Sequence, residues 1–167
     1  YEIYGIPEQI ACMNQLNGLL ATDNDQMMFV TLFYAVIDTR NGEVTYANAG
    51  HNPPYVLRSQ GHLEQVPPTQ GIALAVFDGM VFEVGHLTLA PGDGLFMFTD
   101  GVTEAFNPEG AMYGDKALEA LLTKHINSPV DIVPGVIQAA VNAFEAGGPQ
   151  TDDITCLMAR RTDAMNT

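Results

Sequence analysis

The chain has 167 residues, 47% of them hydrophobic, enough for one domain with a real core. Twenty acidic against six basic residues give a net charge of −14, which repels polyanions and sets nucleic acid and anionic membrane surfaces aside as partners. Divalent cations and basic protein surfaces suit that charge better, although acidity can also serve solubility alone. No apolar run approaches the roughly 20 residues of a membrane span, and no basic leader with a cleavage site opens the chain. Cys12 and Cys156 lack motif spacing and read as ordinary buried thiols, so a soluble cytoplasmic protein is expected.

Residues 1–6 carry no usable initiation signal, and the start reads as a cut in a longer polypeptide. Pro7, followed by Ile10, Met13, Leu16 and Leu20 at helical spacing, predicts an amphipathic helix to about Ala21, then the polar turn 22–25. Met28 to Ile37 is apolar on both alternating faces and predicts a central strand buried on both sides. Asn41-Gly42 turns the chain into a strand over 43–49. Strands over 53–59 and 63–66 follow, and the Gly- and Ala-bearing loop 69–79 implies a close backbone approach. Val81 to Leu89 and Leu95 to Thr99 are expected to form a hairpin across Pro91-Gly92-Asp93-Gly94.

A helix capped by Asp115 with Leu118, Leu121, Leu122 and Ile126 on one face comes next. Another, capped within 128–131, carries Val133, Val136, Ile137, Ala140, Val141 and Phe144, its regular part starting near Pro134. Gly147-Gly148-Pro149 ends it and leads to a last strand. Runs of antiparallel strands followed by clustered helices predict an α+β layered fold, a sheet-on-sheet core flanked by helices.

Two stretches carry the chemistry. Leu95-Phe96-Met97-Phe98 runs into Thr99-Asp100-Gly101, a buried strand ending in a carboxylate, and Asp152-Asp153 precedes the apolar strand 154–158. Laid antiparallel, these strands bring Asp100 and Asp152 to one sheet edge, where two hard oxygen donors could hold Mg²⁺ or Mn²⁺. Taken alone, each has a stronger ordinary reading: Asp-Gly is a common turn, and Asp152-Asp153 could cap a strand or sit in solvent, so spacing alone does not decide for a metal. In Asn48-Ala49-Gly50-His51-Asn52-Pro53-Pro54 the histidine has no nucleophile or second histidine at a partner spacing, so a structural turn is favoured over a base or ligand. His62, His86 and His125 are scattered, and no phosphate-binding glycine loop is present.

Four strings together, 28–34, Tyr46 to Pro54, Phe98 to Ala105, and Pro149 to Thr155, resemble the SpoIIE/RsbU-like branch of the PPM metal-dependent serine/threonine phosphatases of bacteria. The resemblance covers about Pro7 to Arg161. It implies a β-sandwich of two antiparallel sheets flanked by helices, residues 1–167 forming the C-terminal majority of one phosphatase domain. It also implies two Mn²⁺ or Mg²⁺ ions in the complete domain, with Asp100 and Asp152 as metal ligands and Asp153 a less favoured neighbour. Gly101, Gly50 and His51 would be backbone at the site's edge, and no catalytic side chain is implied beyond the metal ligands. The implied reaction is hydrolysis of a phosphoserine or phosphothreonine in a partner protein, such as an anti-sigma-factor antagonist, under an upstream sensory or receiver domain. The family's opening Gly-Asp-x-x-Gly segment, whose Asp joins both metals, has no counterpart before Pro7. The alternative is a pseudophosphatase or adaptor that binds a regulator without hydrolysis.

Overall fold

A computed structural model describes residues 8–22, 24–148 and 152–162. The expected helix start at Pro7, Asp23 of the polar turn and 149–151 lie outside the described residues. Among the described residues the fold is α+β, with two antiparallel sheets and three α-helices. The residues group into two compact units, one made of the chain up to Pro53 together with Pro67–Thr88, the other of Pro54–Val66 and the chain from Leu89 onward.

The first unit holds helix α1 (Glu8–Ala21) and strands β1 (Leu32–Ile37) and β2 (Glu43–Ala49). The Asn-Gly turn joins the two strands in the register Leu32 to Ala49 through Ile37 to Val44, with Gly42 at φ 78°, where a side chain would be strained. Two further strands precede the next member of this sheet: β3 (Tyr55–Arg58) and β4 (His62–Gln65), both of the second unit. Then β5 (Gly85–Thr88) returns to pair with β2, giving the sheet order β1-β2-β5.

Strand β1 is therefore an edge strand, half-buried along most of its length, and not the doubly buried central strand expected from 28–37. Residues 28–31 lie outside it, and only Val30 forms a bridge, to Leu74. A continuous apolar run is equally the signature of a core strand and of an exposed apolar surface, because periodicity does not report what covers a face.

Helix α1 buries Ile10, Met13 and Asn17 at i, i+3 and i+7, while the expected Leu20 is exposed. The face is rotated because Asn17 is satisfied inside: its Nδ2 donates to Phe77 O at 2.8 Å and its Oδ1 accepts from Ala75 N–H at 2.9 Å. A buried amide bonded at both ends escapes the desolvation penalty that makes a polar residue look like a surface one. The close approach expected in loop 69–79 is present: a Cβ on Gly71 would stand 2.6 Å from Asn48 O, and one on Gly50 2.8 Å from Ala73 N. Met27 and Ala75 both adopt positive φ, 50° and 68°, at a cost of about 1–3 kcal/mol each that the surrounding bonds must offset.

The second unit is a sheet in the order β4-β3-β6-β7, with β6 spanning Gly94–Phe98 and β7 spanning Cys156–Arg160, covered by α2 (Gly114–Lys124) and α3 (Val133–Glu145). Tyr55, Phe96, Phe98, Leu118, Leu122 and Ile137 are fully or nearly fully buried in one cluster. Each such aliphatic or aromatic side chain contributes about 1.5–3 kcal/mol. The predicted helical faces meet here, Leu118, Leu122 and Ile126 from one side and Val133, Ile137 and Val141 from the other.

Asp115 lies within the first turn of α2 and does not cap it; Tyr113 stands at the N-cap, and Ile132 at that of α3, neither with a side-chain cap bond. An acid in the first turn stabilises the helix through the macrodipole without the cap bond, so the sequence preference is the same at both positions. Pro134 sits in the first turn of α3 as expected.

The hairpin expected across 91–94 is absent. Its turn forms, with Asp93 N–H donating to Ala90 O at 2.9 Å, but β5 pairs in the first unit's sheet and β6 in the second's. What fixes the start of β6 is Asp93, 2% exposed. Its carboxylate accepts from Ser59 N–H (2.9 Å), Ala90 N–H (2.9 Å) and the Arg58 guanidinium (2.8 Å). Burial pushes this carboxyl upward, and the Ser59 N–H, the Arg58 guanidinium and the Ala90 N–H outweigh it, holding the group below the usual carboxylate range.

Candidate metal centre at the ends of β6 and β7

Strand β6 is an unbroken apolar run because both its faces are covered: Phe96 and Phe98 enter the cluster under the helices, and Leu95 is buried on the other side. It pairs antiparallel with β7 in the register Gly94 to Arg160 through Phe98 to Cys156. The C-terminal end of β6 therefore meets the N-terminal end of β7, and the two acidic strings converge there.

Thr99 ties them. Its N–H donates to Thr155 O (3.1 Å), its hydroxyl accepts from Thr155 N–H (2.9 Å) and donates to Asp153 O (2.8 Å). Asp100 then opens a single 3₁₀ turn, Asp100–Val102, whose first carbonyl accepts from Glu104 N–H at 2.7 Å. Gly101 is buried directly against the acidic pair, where a Cβ would stand 2.6 Å from Asp153 O and 3.3 Å from Asp152 C. Only glycine lets the two turns close on one another. Asp152 accepts Asp153 N–H through Oδ1 at 2.7 Å, which sets the local bend.

Asp100, Asp152 and Asp153 are all exposed, so their carboxylates face solvent at this end of the sheet. Thr99 was not among the residues singled out from the sequence, although a hydroxyl directly before a strand-terminal acid is a signal of a residue that fixes the acid's approach. Gly50 and His51 belong to the other unit and form a turn of their own. His51 N–H donates to Asn48 Oδ1 and Asn48 Nδ2 to His51 O, both at 2.8 Å, while the ring Nδ1 lies 3.3 Å from Thr31 Oγ1. Cys156 is half-buried beside the site, and burial pushes its thiol up to about 11, unsuited to nucleophilic work.

Asp100 and Asp152 are exposed hard oxygen donors at the same end of the sheet, a residue type that suits a small divalent cation retaining several waters. Among the described residues no three metal-capable side chains come together. Gly101→Ala is expected to push the Asp152–Asp153 peptide off the 3₁₀ turn. The measurable result is at least a tenfold weaker Mn²⁺ affinity by calorimetry, with a lowered melting temperature from overpacking of about 1–3 kcal/mol.

The sequence profile of Stage II sporulation protein E (SpoIIE) matches residues 7–162. The chain belongs to the SpoIIE family. It is 35% identical over 146 residues to Protein IcfG of Synechocystis sp., covering 87% of this chain and 23% of that protein. It is 26% identical over 156 residues to phosphoserine phosphatase RsbU of Bacillus subtilis, covering 93% of this chain and 45% of that one. The chain thus spans less than half the length of these curated relatives. The solved, manganese-presoaked phosphatase domain of SpoIIE from Bacillus subtilis shares its fold, with TM-score 0.71 and 20% identity over 98% of this chain and 71% of that chain. Membership of the SpoIIE family agrees with the resemblance carried by the four strings, and two antiparallel sheets with helices are the fold it implied. Among the described residues no helix is long and apolar enough to cross a membrane.

Proposed function

We propose that this SpoIIE-family chain is part of a metal-dependent serine/threonine phosphoprotein phosphatase, with Asp100 and Asp152 holding Mn²⁺ or Mg²⁺ and Asp153 adjoining the site. One observation carries the reading: the antiparallel β6–β7 register and the Gly101 contact bring two separate acidic strings to one sheet end. A divalent pair there would activate water and offset charge on a phosphoryl group. The chain's own part is to hold both carboxylates through the Thr99 hydroxyl and the Gly101 packing, in a place open to a protein-borne phosphate. The substrate is a phosphorylated regulatory protein of the anti-sigma-factor-antagonist kind, approached by a strongly acidic domain and controlled by a sensory or receiver module elsewhere in the full-length protein.

The test is Mn²⁺-dependent phosphate release from a phosphoserine protein by the full-length protein, beside calorimetric titration with Mn²⁺. Hydrolysis that disappears on chelation and returns with Mn²⁺ supports the proposal. Phosphoprotein binding without hydrolysis would place the chain with adaptors, and metal-independent hydrolysis would remove Asp100 and Asp152 from the chemistry.

A further inference from the structure

We infer that the first unit carries a docking surface for a basic amphipathic helix of a partner protein, formed by the segments 24–30 and 72–78. Met27 is 85% exposed and Phe77 64%, with Met28, Phe29 and Val76 exposed beside them in the same two segments. Met27, Phe29, Ala75 and Val76 line a cleft of about 370 Å³ whose polar wall includes Asp78. Contiguous exposed apolar surface of this kind is uncommon on a monomer and marks an interaction site.

These side chains are held out by a rigid frame. Val30 and Leu74 exchange backbone bonds in both directions, at 3.2 and 2.8 Å. Asn24 accepts Met28 N–H at 2.9 Å and donates to Met28 O at 2.7 Å, while buried Asn17 bonds Ala75 and Phe77. Within that frame Met27 and Ala75 are non-glycine residues held at positive φ, a conformation that persists only where the surroundings enforce it. Preorganised presentation of apolar side chains lowers the ordering cost of binding.

Charge selects the occupant. The only Lys or Arg in the stretches 1–53 and 67–88 is Arg40, and its guanidinium is paired with Asp38. Asp25 and Asp78 are exposed in the two segments that form the surface. A partner that complements it offers Leu- or Phe-type anchors at i, i+3 or i+4 and lysines or arginines on the flanks. Methionines adapt to such anchors without fixing their shape.

The probe is a fluorescein-labelled Leu/Lys peptide of about 18 residues with its leucines on one helical face, compared with a scrambled peptide of the same composition. In anisotropy titrations the amphipathic peptide should bind at least about tenfold tighter than the scrambled one. Phe77→Ser and Met27→Asn should each weaken it about tenfold with unchanged melting temperature, and Asp78→Lys should weaken it and flatten its salt dependence. Equal binding of the scrambled peptide, or no effect of the Phe77 and Met27 variants, overturns the proposal. So does a dimer in sedimentation that Phe77→Ser dissolves, because the surface would then belong to a second copy of the chain.

Discussion

Asp100→Asn is expected to lower Mn²⁺-dependent phosphatase activity of the full-length protein by about a hundredfold or more, and to weaken Mn²⁺ binding by at least about tenfold. The amide keeps the side chain's size and one carbonyl oxygen but removes the negative charge that a divalent ion needs. The fold should survive: Asp100 is exposed, and what holds its turn is main chain, Glu104 N–H on Asp100 O at 2.7 Å and Thr99 N–H on Thr155 O at 3.1 Å. Asp152→Asn should match it in direction. Asp153→Asn should have a smaller effect, because it is the carbonyl of Asp153, not its carboxylate, that Thr99 and Gly101 engage. Measured kcat, KM and calorimetric stoichiometry check the set together. Unimpaired hydrolysis by Asp100→Asn would refute the assignment of the site.

The second large effect is on stability. Asp93→Ala should destabilise the protein by about 3 kcal/mol, because it orphans the Ser59 and Ala90 backbone N–H groups and takes from the half-buried Arg58 guanidinium the buried one of its two carboxylate partners, Glu64 remaining. For a domain of this size that is a drop on the order of 10 °C in melting temperature. Replacing both partners by apolar residues, as in the Arg58→Met, Asp93→Leu double variant, should recover only part of the loss, since Ser59 and Ala90 N–H stay unpaired. The contribution is also pH-dependent. A carboxyl whose native pKa lies below its unfolded value stabilises fully above the ordinary carboxylate range and loses that stability as pH falls through the lowered native value. The difference in urea midpoint between native protein and Asp93→Asn should therefore be largest near neutrality and shrink steadily below about pH 4. A constant difference across that range would contradict the ion-pair account.

Local grammar was legible wherever the determinant is short-range. The Asn41-Gly42 turn demands one residue at positive φ, and it delivers β2 over the predicted 43–49. The helical spacing of Leu118, Leu122, Val133, Ile137 and Val141 identified the faces that α2 and α3 bury. The convergence of Asp100 and Asp152 was also readable, because a strand ending in an acid and a strand beginning with one can share an end only when antiparallel.

Other features could not be read there. The turn at 91–94 is written in Pro, Gly and Asp and it forms, but turn chemistry does not name the strands that flank it. The part-buried Arg58–Asp93 pair, 35 positions apart, anchors β6 beside β3 in place of a hairpin with β5. Asn17 is buried because loop 75–77 supplies both of its hydrogen-bond partners, 58 and 60 positions away in the chain. The apolar run 28–37 looked like core, and only the edge position of β1 and the exposure of residues 27–30 revealed a surface.

By itself, then, the sequence determined the elements, their apolar faces, the two acidic turns and the family, since each rests on neighbours within a turn or two of chain. The tertiary structure decided which strands share a sheet, which polar groups are buried and which apolar groups are not. Those outcomes depend on partners distant in the chain, whose loop-closure entropy is offset only by burial and hydrogen bonds formed after folding.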